Sequence, residues 1–159
     1  MHTRRALSTL GSYLGSLPRH FKVHESVVDA VLSSRSAKPV VALESTIVTH
    51  GLPSGVNLEV ARRCEQVIRD RGALPATIAV LDGKVHVGLE DSQLQRLADS
   101  REAVKTGYRD LPYVLDGGFV GGTTVSATSF IAATAQLDVF ATGGIGGVHR
   151  EAETSEFSS

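Results

Sequence analysis

The feature that most constrains this chain is a glycine cluster behind a short apolar run. Val139, Phe140 and Ala141 read as a strand that empties into Thr142, Gly143, Gly144, Ile145, Gly146 and Gly147, followed by His149 and Arg150. Glycine loses more backbone entropy on folding than any other residue, so four of them in five positions do not serve stability. They serve a sharp turn or the close approach of a ligand to the backbone. A glycine-rich turn at the C-terminal end of a strand, followed by a cation, is a common phosphate-holding arrangement in α/β proteins. A tight loop without a ligand is the other reading, and one such motif does not decide between them.

The upstream pattern supplies the rest of an α/β domain. Glu25–Leu32 carries apolar residues at helical spacing, and Pro39–Leu43 is a continuous apolar run bounded by turn residues, as in a buried strand. That run ends in Glu44, Ser45 and Thr46. Open α/β sheets bind ligands beyond the C-terminal ends of their strands. Glu44 is therefore either a catalytic acid or a capping, hydrogen-bonded structural one. Asn57 is a good N-cap for a helix to about Arg71, with Leu58, Ala61, Cys64 and Ile68 keeping its period and Gly72 closing it. Ala76–Leu81 reads as a strand, and Asp82–Gly83 signals a hairpin returning through Lys84–Gly88. His86 alternates with Val85 and Val87, which predicts the polar face of an edge strand. Asp91–Ala98 is a short helix, Lys105 falls in an irregular stretch, and Asp110 with Pro112 marks another helix start. Gly121, Gly122, Thr123 and Thr124 are expected to open a helix through Ala135, an N-terminus that suits an anion or, equally, simple capping with close packing of small residues. The order predicts an α/β fold: one mixed sheet with helices on both faces, an α/β/α sandwich.

The two ends differ from this middle. Residues 1–24 contain no Asp or Glu but hold Arg4, Arg5, Arg19 and Lys22, with serines between and Leu7, Leu10, Leu14 and Leu17 able to line one helical face. Such a segment has the composition of an organelle transit peptide. It is expected to lie outside the fold and to specify a mitochondrial location, with a cytoplasmic one as the alternative. Residues 25–150 form the domain, and residues 151–159 are a divergent polar end. A helix is expected to return over the sheet after Val139–Ala141 and none is encoded, so the pattern reads as truncated. The 159 residues, 42% hydrophobic and 21% charged, suffice for one ordinary core. A net charge of −1 gives no footprint for a nucleic acid or a membrane surface. No apolar run reaches the roughly 18 residues of a membrane-spanning helix. Cys64 is the only cysteine, which excludes an internal disulfide and a multi-cysteine zinc site. Its place on the apolar helix stripe predicts burial.

Taken together, these blocks resemble the pseudouridine-5′-phosphate glycosidase family, also called pseudouridylate synthase. The matching segments are Pro39–Ile47 with His50, Gly51 and Pro53; Gly72–Ala79 with Gly83; Val87–Leu89; Arg109–Pro112; Gly122–Val125; and Phe140–Arg150. They run in family order over nearly all of this chain, and correspond to about the first half of the family's domain. The resemblance implies reversible cleavage of the C–C glycosidic bond of pseudouridine 5′-phosphate to uracil and ribose 5-phosphate. It also implies an α/β/α fold, a homotrimer and a bound divalent metal, usually manganese. Carried over residue by residue, it makes Glu44 the proton donor and Lys105 and Val125 substrate contacts. Thr142 and His149 become neighbours of the substrate phosphate.

The implied chemistry accounts for these residue types. A carbon leaving group is poor, so an acid must assist opening of the ribose ring, and a lysine amine can then trap the exposed carbon as an iminium electron sink. The chain departs from the family pattern after Arg150. Phe157, with Glu156 beside it, stands where the family has its metal-binding aspartate, so no metal ligand is assigned. The family's nucleophilic lysine, further on, has no counterpart. The expectation is a glycosidase half-domain that is inactive alone. The alternatives are a non-catalytic phosphate-binding remnant that associates with full-length subunits, and an N-glycoside hydrolase using Glu44 alone.

Overall fold

The computed structural model describes residues 10–33 and 38–146. In chain order it has a helical segment α1 (10–16), β1 (Phe21–Val23), α2 (Glu25–Leu32), β2 (Val40–Leu43) and a π-helical turn at Ile47–Gly51. Then come α3 (Val56–Asp70), β3 (Leu74–Leu81), β4 (Lys84–Val87), α4 (Asp91–Asp99) and β5 (Val104–Thr106). A 3₁₀ turn at Tyr108–Asp110 leads into α5 (Leu111–Asp116), β6 (Gly121–Thr123), α6 (Val125–Thr134) and β7 (Val139–Ala141).

Strand β3 is the axis of the molecule. Successive strand residues point to opposite faces, so its run, apolar but for Thr77, needs cover on both sides. Ala76, Ile78 and Val80 enter one apolar cluster with Val27 of α2, Val114 of α5 and Ile131 of α6. Ala79 and Leu81 enter another with Ala61 of α3 and Leu94 and Leu97 of α4. The α/β/α arrangement follows, as the sequence predicted. The sheet order is β1-β4-β3-β2-β7, with β6 also on β3 and β5 on β6. β4 and β6 run antiparallel to β3, and the other pairs are parallel. β2 pairs with Leu74–Thr77 and β6 with Ala79 and Val80, so these two strands lie end to end along one side of β3. The hairpin at Asp82 and Gly83 has φ of 52° and 68°, the left-handed pair that a two-residue turn with native twist requires.

Several local expectations are corrected. Residues 10–24 are not outside the fold. Tyr13 is 5% exposed and its hydroxyl donates to the Ala135 carbonyl at 3.0 Å, while β1 pairs with β4. Composition registered the basic, acid-poor character of this segment but not the one aromatic that anchors it, and Leu14 of the supposed leucine face is exposed. The first nine residues lie outside the described ones. Gly55, at φ 90°, takes the N-cap position of α3 in place of Asn57. Asn57 is buried inside the first turn because its amide donates to the Val48 and Ala98 carbonyls, both at 2.9 Å. Gly121–Thr123 is a strand rather than a helix opening, and Lys105 sits in β5 rather than in an irregular stretch. Close packing explains the glycines: a Cβ on Gly121 would lie 2.5 Å from Thr106 Oγ1, and one on Gly122 would collide with Thr49 of the π-helical turn. His86 is not on an edge, since β4 is flanked by β1 and β3, and it is only 7% exposed.

Two stability predictions follow from this packing. Gly122→Ala should cost about 1–3 kcal/mol, the usual range for overpacking, read as a lower urea midpoint at unchanged slope. An unshifted midpoint would mean the π-helical turn yields freely. Burial of His86, together with Lys22 opposite it in the β1–β4 ladder, holds its imidazole below the ordinary value, with Asp82 acting the other way. Below about pH 6.5 the unfolded chain binds a proton that the folded chain refuses, so stability falls as pH drops through that window. His86→Gln should flatten that part of the stability curve, and an unchanged curve would assign the loss to other groups.

Candidate active site

The C-terminal ends of β2 and β6 meet head-on beside Ile78, and hydroxyl groups close the junction. Ser45 donates its Oγ–H to the Ile78 carbonyl at 2.6 Å and accepts the Thr123 N–H at 2.9 Å. The Ser45 N–H donates to the Thr123 carbonyl at 3.2 Å. Thr123 Oγ1 also donates to the Ile78 carbonyl, at 2.7 Å, and accepts from Thr128 Oγ1 at 3.0 Å. Ser45, Thr123 and Thr128 are all 0% exposed. Buried polar groups are tolerated when every one finds a partner, and here the partners come from three different elements. Thr46 adds a hydroxyl bond to the Gly122 carbonyl at 2.9 Å.

This dry frame fixes what precedes Ser45. Glu44 is half-buried at the end of β2. The β2–β7 ladder pairs Leu43 with Ala141, so Thr142 follows beside Glu44, and Thr142 Oγ1 donates to Glu44 Oε1. Thr142 Oγ1 also lies 3.1 Å from the Gly144 carbonyl and accepts the Gly144 N–H at 3.2 Å. The glycine-rich turn is thus tied to the acid by its first side chain. Lys105 is exposed in β5 and pairs in register with Gly122, whose carbonyl takes the Thr46 hydroxyl. Val125 opens α6 behind Thr124, whose side chain makes no capping bond to the helix. Ser126 Oγ accepts the Tyr108 N–H at 3.2 Å and lies 3.1 Å from Thr124 Oγ1. Of the residues predicted from sequence, Glu44 and Thr142 are in contact, while Lys105 and Val125 flank the same strand-end junction through β5 and β6. His149 lies outside the described residues, as do Glu156 and Phe157.

A cleft of about 400 Å³ runs from Glu44 and Thr142 along α3, lined by Leu43, Ile47, Val60, Cys64 and Ala141 among others. Cys64 is exposed, not buried as expected. It does lie on the apolar stripe of α3, but that stripe faces the cleft instead of a packed layer. Sequence reasoning missed Ser45, Thr123 and Thr128 as the positioning frame. The available signal was a hydroxyl doublet at the C-terminal end of each short strand, Ser45–Thr46 separated from β2 by Glu44 alone and Thr123–Thr124 at the close of β6. Among the described residues, no group of three or more His, Cys, Asp or Glu could hold a metal ion.

The family profile described as "Indigoidine synthase A like protein" matches residues 27–159. A pseudouridine-5′-phosphate glycosidase of Petrotoga mobilis is 49% identical over 141 residues, which cover 88% of this chain and 45% of the relative. One from Streptomyces griseus is 58% identical over 113 residues, 71% of this chain and 35% of that one. Among solved structures, the prealnumycin C-glycosynthase in complex with ribulose 5-phosphate superposes with a TM-score of 0.73 at 41% identity, covering 89% of this chain and 45% of that one. An indigoidine synthase A-like protein of Thermotoga maritima superposes with a TM-score of 0.69 at 35% identity, over 81% and 41% of the two chains. The chain thus spans less than half the length of these relatives. With the profile match running from α2 to the last residue, and the same strands and helices superposing, this chain belongs to the indigoidine synthase A-like family.

Proposed function

We propose that this chain carries the acid-bearing half of a pseudouridine-5′-phosphate glycosidase site, for reversible C–C cleavage to uracil and ribose 5-phosphate. The observation that carries this reading is the placement of Glu44. A half-buried carboxylate stands at the C-terminal end of a central strand, held by the first hydroxyl of a glycine-rich turn and opening onto a cleft. That is where an acid is needed to assist opening of a ribose ring. The relatives named for this activity, and the C-glycosynthase related to them that was solved with a pentose phosphate, support a phosphorylated sugar as ligand. Lys105 and Val125 bind the substrate from β5 and the start of α6, and His149 meets the phosphate. Remote contacts of this kind hold the reacting bond in place.

The acid supplies half of the chemistry. Once the ring opens, an amine must trap the sugar carbon, and the family's lysine for that step has no counterpart in this sequence. The chain alone should therefore not turn over pseudouridine 5′-phosphate, assayed as uracil release with manganese in the buffer. Appending the C-terminal half of a full-length relative should create the activity. Glu44→Gln in that completed enzyme should then lower kcat by about 100- to 10,000-fold, the usual worth of general acid catalysis. Uracil release by the short chain would overturn the covalent part of this reading, and full activity of Glu44→Gln would remove Glu44 as the acid.

A further inference from the structure

The reading of Glu44 as the acid leaves open what the glycine-rich turn does to it. A hydroxyl carries one hydrogen, and that of Thr142 has two acceptors in reach, Glu44 Oε1 and the Gly144 carbonyl at 3.1 Å. Its oxygen meanwhile accepts the Gly144 N–H at 3.2 Å. The two acceptors do not compete equally in both states of Glu44. An ionised carboxylate makes a charge-assisted bond, roughly twice as strong as a neutral one, and takes the hydrogen. A protonated Glu44 is a weaker acceptor and a donor in its own right. Its O–H can then point at Thr142 Oγ1, and the threonine hydrogen turns to the Gly144 carbonyl. Thr142 is β-branched and stiff at χ1, and the β2–β7 ladder holds its backbone beside Glu44, so the hydroxyl can swing its hydrogen without moving its oxygen.

We propose that Thr142 is a positioning residue that couples the hydrogen bonding of the glycine-rich turn to the proton on Glu44. With the acid ionised, the Gly144 carbonyl is released; with the acid protonated and ready to donate, the turn closes on its own carbonyl. Coupling of this kind is reciprocal. A ligand that favours the closed turn therefore also favours the protonated acid, so occupancy of the loop prepares the proton donor at the other end of the sugar. This proposal rests on the glycosidase reading for its consequence, but its geometry does not.

The test uses the intact chain without substrate. The amide resonance of Gly144 is followed by NMR, alongside the Glu44 side-chain carboxyl carbon, as pH is lowered until Glu44 protonates. The Gly144 amide should move along the same curve as the carboxyl in the wild type and in Thr142→Ser. That movement should be lost in Thr142→Val, which keeps the shape and removes the hydroxyl, and in Glu44→Gln. Equal movement in Thr142→Val and wild type would show that the field of the carboxylate alone is felt, and would overturn the proposal. So would a Gly144 amide that ignores the Glu44 titration. In the completed enzyme, Thr142→Val should lower kcat about 10-fold or more, as expected for losing one hydrogen bond to a charged group, with KM changed much less. A Thr142→Val enzyme with full kcat would overturn the catalytic role. A completed wild-type enzyme that releases no uracil would instead sink the glycosidase reading and leave the Gly144 titration to decide the coupling.

Discussion

Much of this structure depends on one buried carbonyl. Ile78 sits where β3 changes partners, from β2 below to β6 above, and its carbonyl would otherwise face a gap between two strand ends. Two hydroxyls, from Ser45 and Thr123, donate to it. A carbonyl oxygen has two lone pairs, so both are used. The Thr123 N–H is satisfied in turn by Ser45. Replacing Ser45 with alanine would leave that N–H buried and unpaired, a penalty of about 1–3 kcal/mol. The junction joins segments 33 and 45 residues distant from Ile78 in sequence. It also sets the chemistry: the residue immediately before Ser45 is the acid, and the residues after Thr123 begin the helix that carries Val125.

The choice of neutral hydroxyls at this junction is informative beside a charged group. A lysine or arginine at the same place would pair with Glu44, and a pair half out of water is expensive to break when a proton must move. Hydroxyls satisfy the backbone and leave the acid's charge to Thr142 and to solvent. Arg62 with Asp91 links α3 to α4, and Arg96 with Asp82 ties α4 to the hairpin. Those exposed pairs contribute little to stability.

The degree to which this was legible in the sequence follows the range of the forces involved. Local sequence sufficed for β3, whose mostly apolar run calls for helices on both faces, and for the Asp82–Gly83 turn. The position of Glu44 was legible as a carboxylate at the end of a buried strand, and the structure places it there against Thr142. What failed depended on partners distant in sequence. Asn57 is an excellent capping residue, yet its amide serves the Val48 and Ala98 carbonyls, and no local rule sees Ala98. Gly121 and Gly122 read equally as an anion-binding helix opening or as capping with close packing of small residues; the packing is present, against Thr106 and Thr49, but in a strand, which local sequence did not signal. Tyr13 was hidden inside a segment whose composition pointed to a leader, because a single long-range bond to Ala135 leaves no trace in composition.

Cys64 shows the same limit from the other side. Its helical phase was right and its burial was wrong, because amphipathicity reports which face is apolar and not what covers it. The face of α3 that carries Val60 and Cys64 lines the cleft that begins at Glu44 and Thr142. The apolar surface is therefore continuous with the carboxylate of Glu44. The carboxylate thus stands where the apolar wall of α3 meets the glycine-rich turn, and a small rotation of either would change how much of it faces solvent.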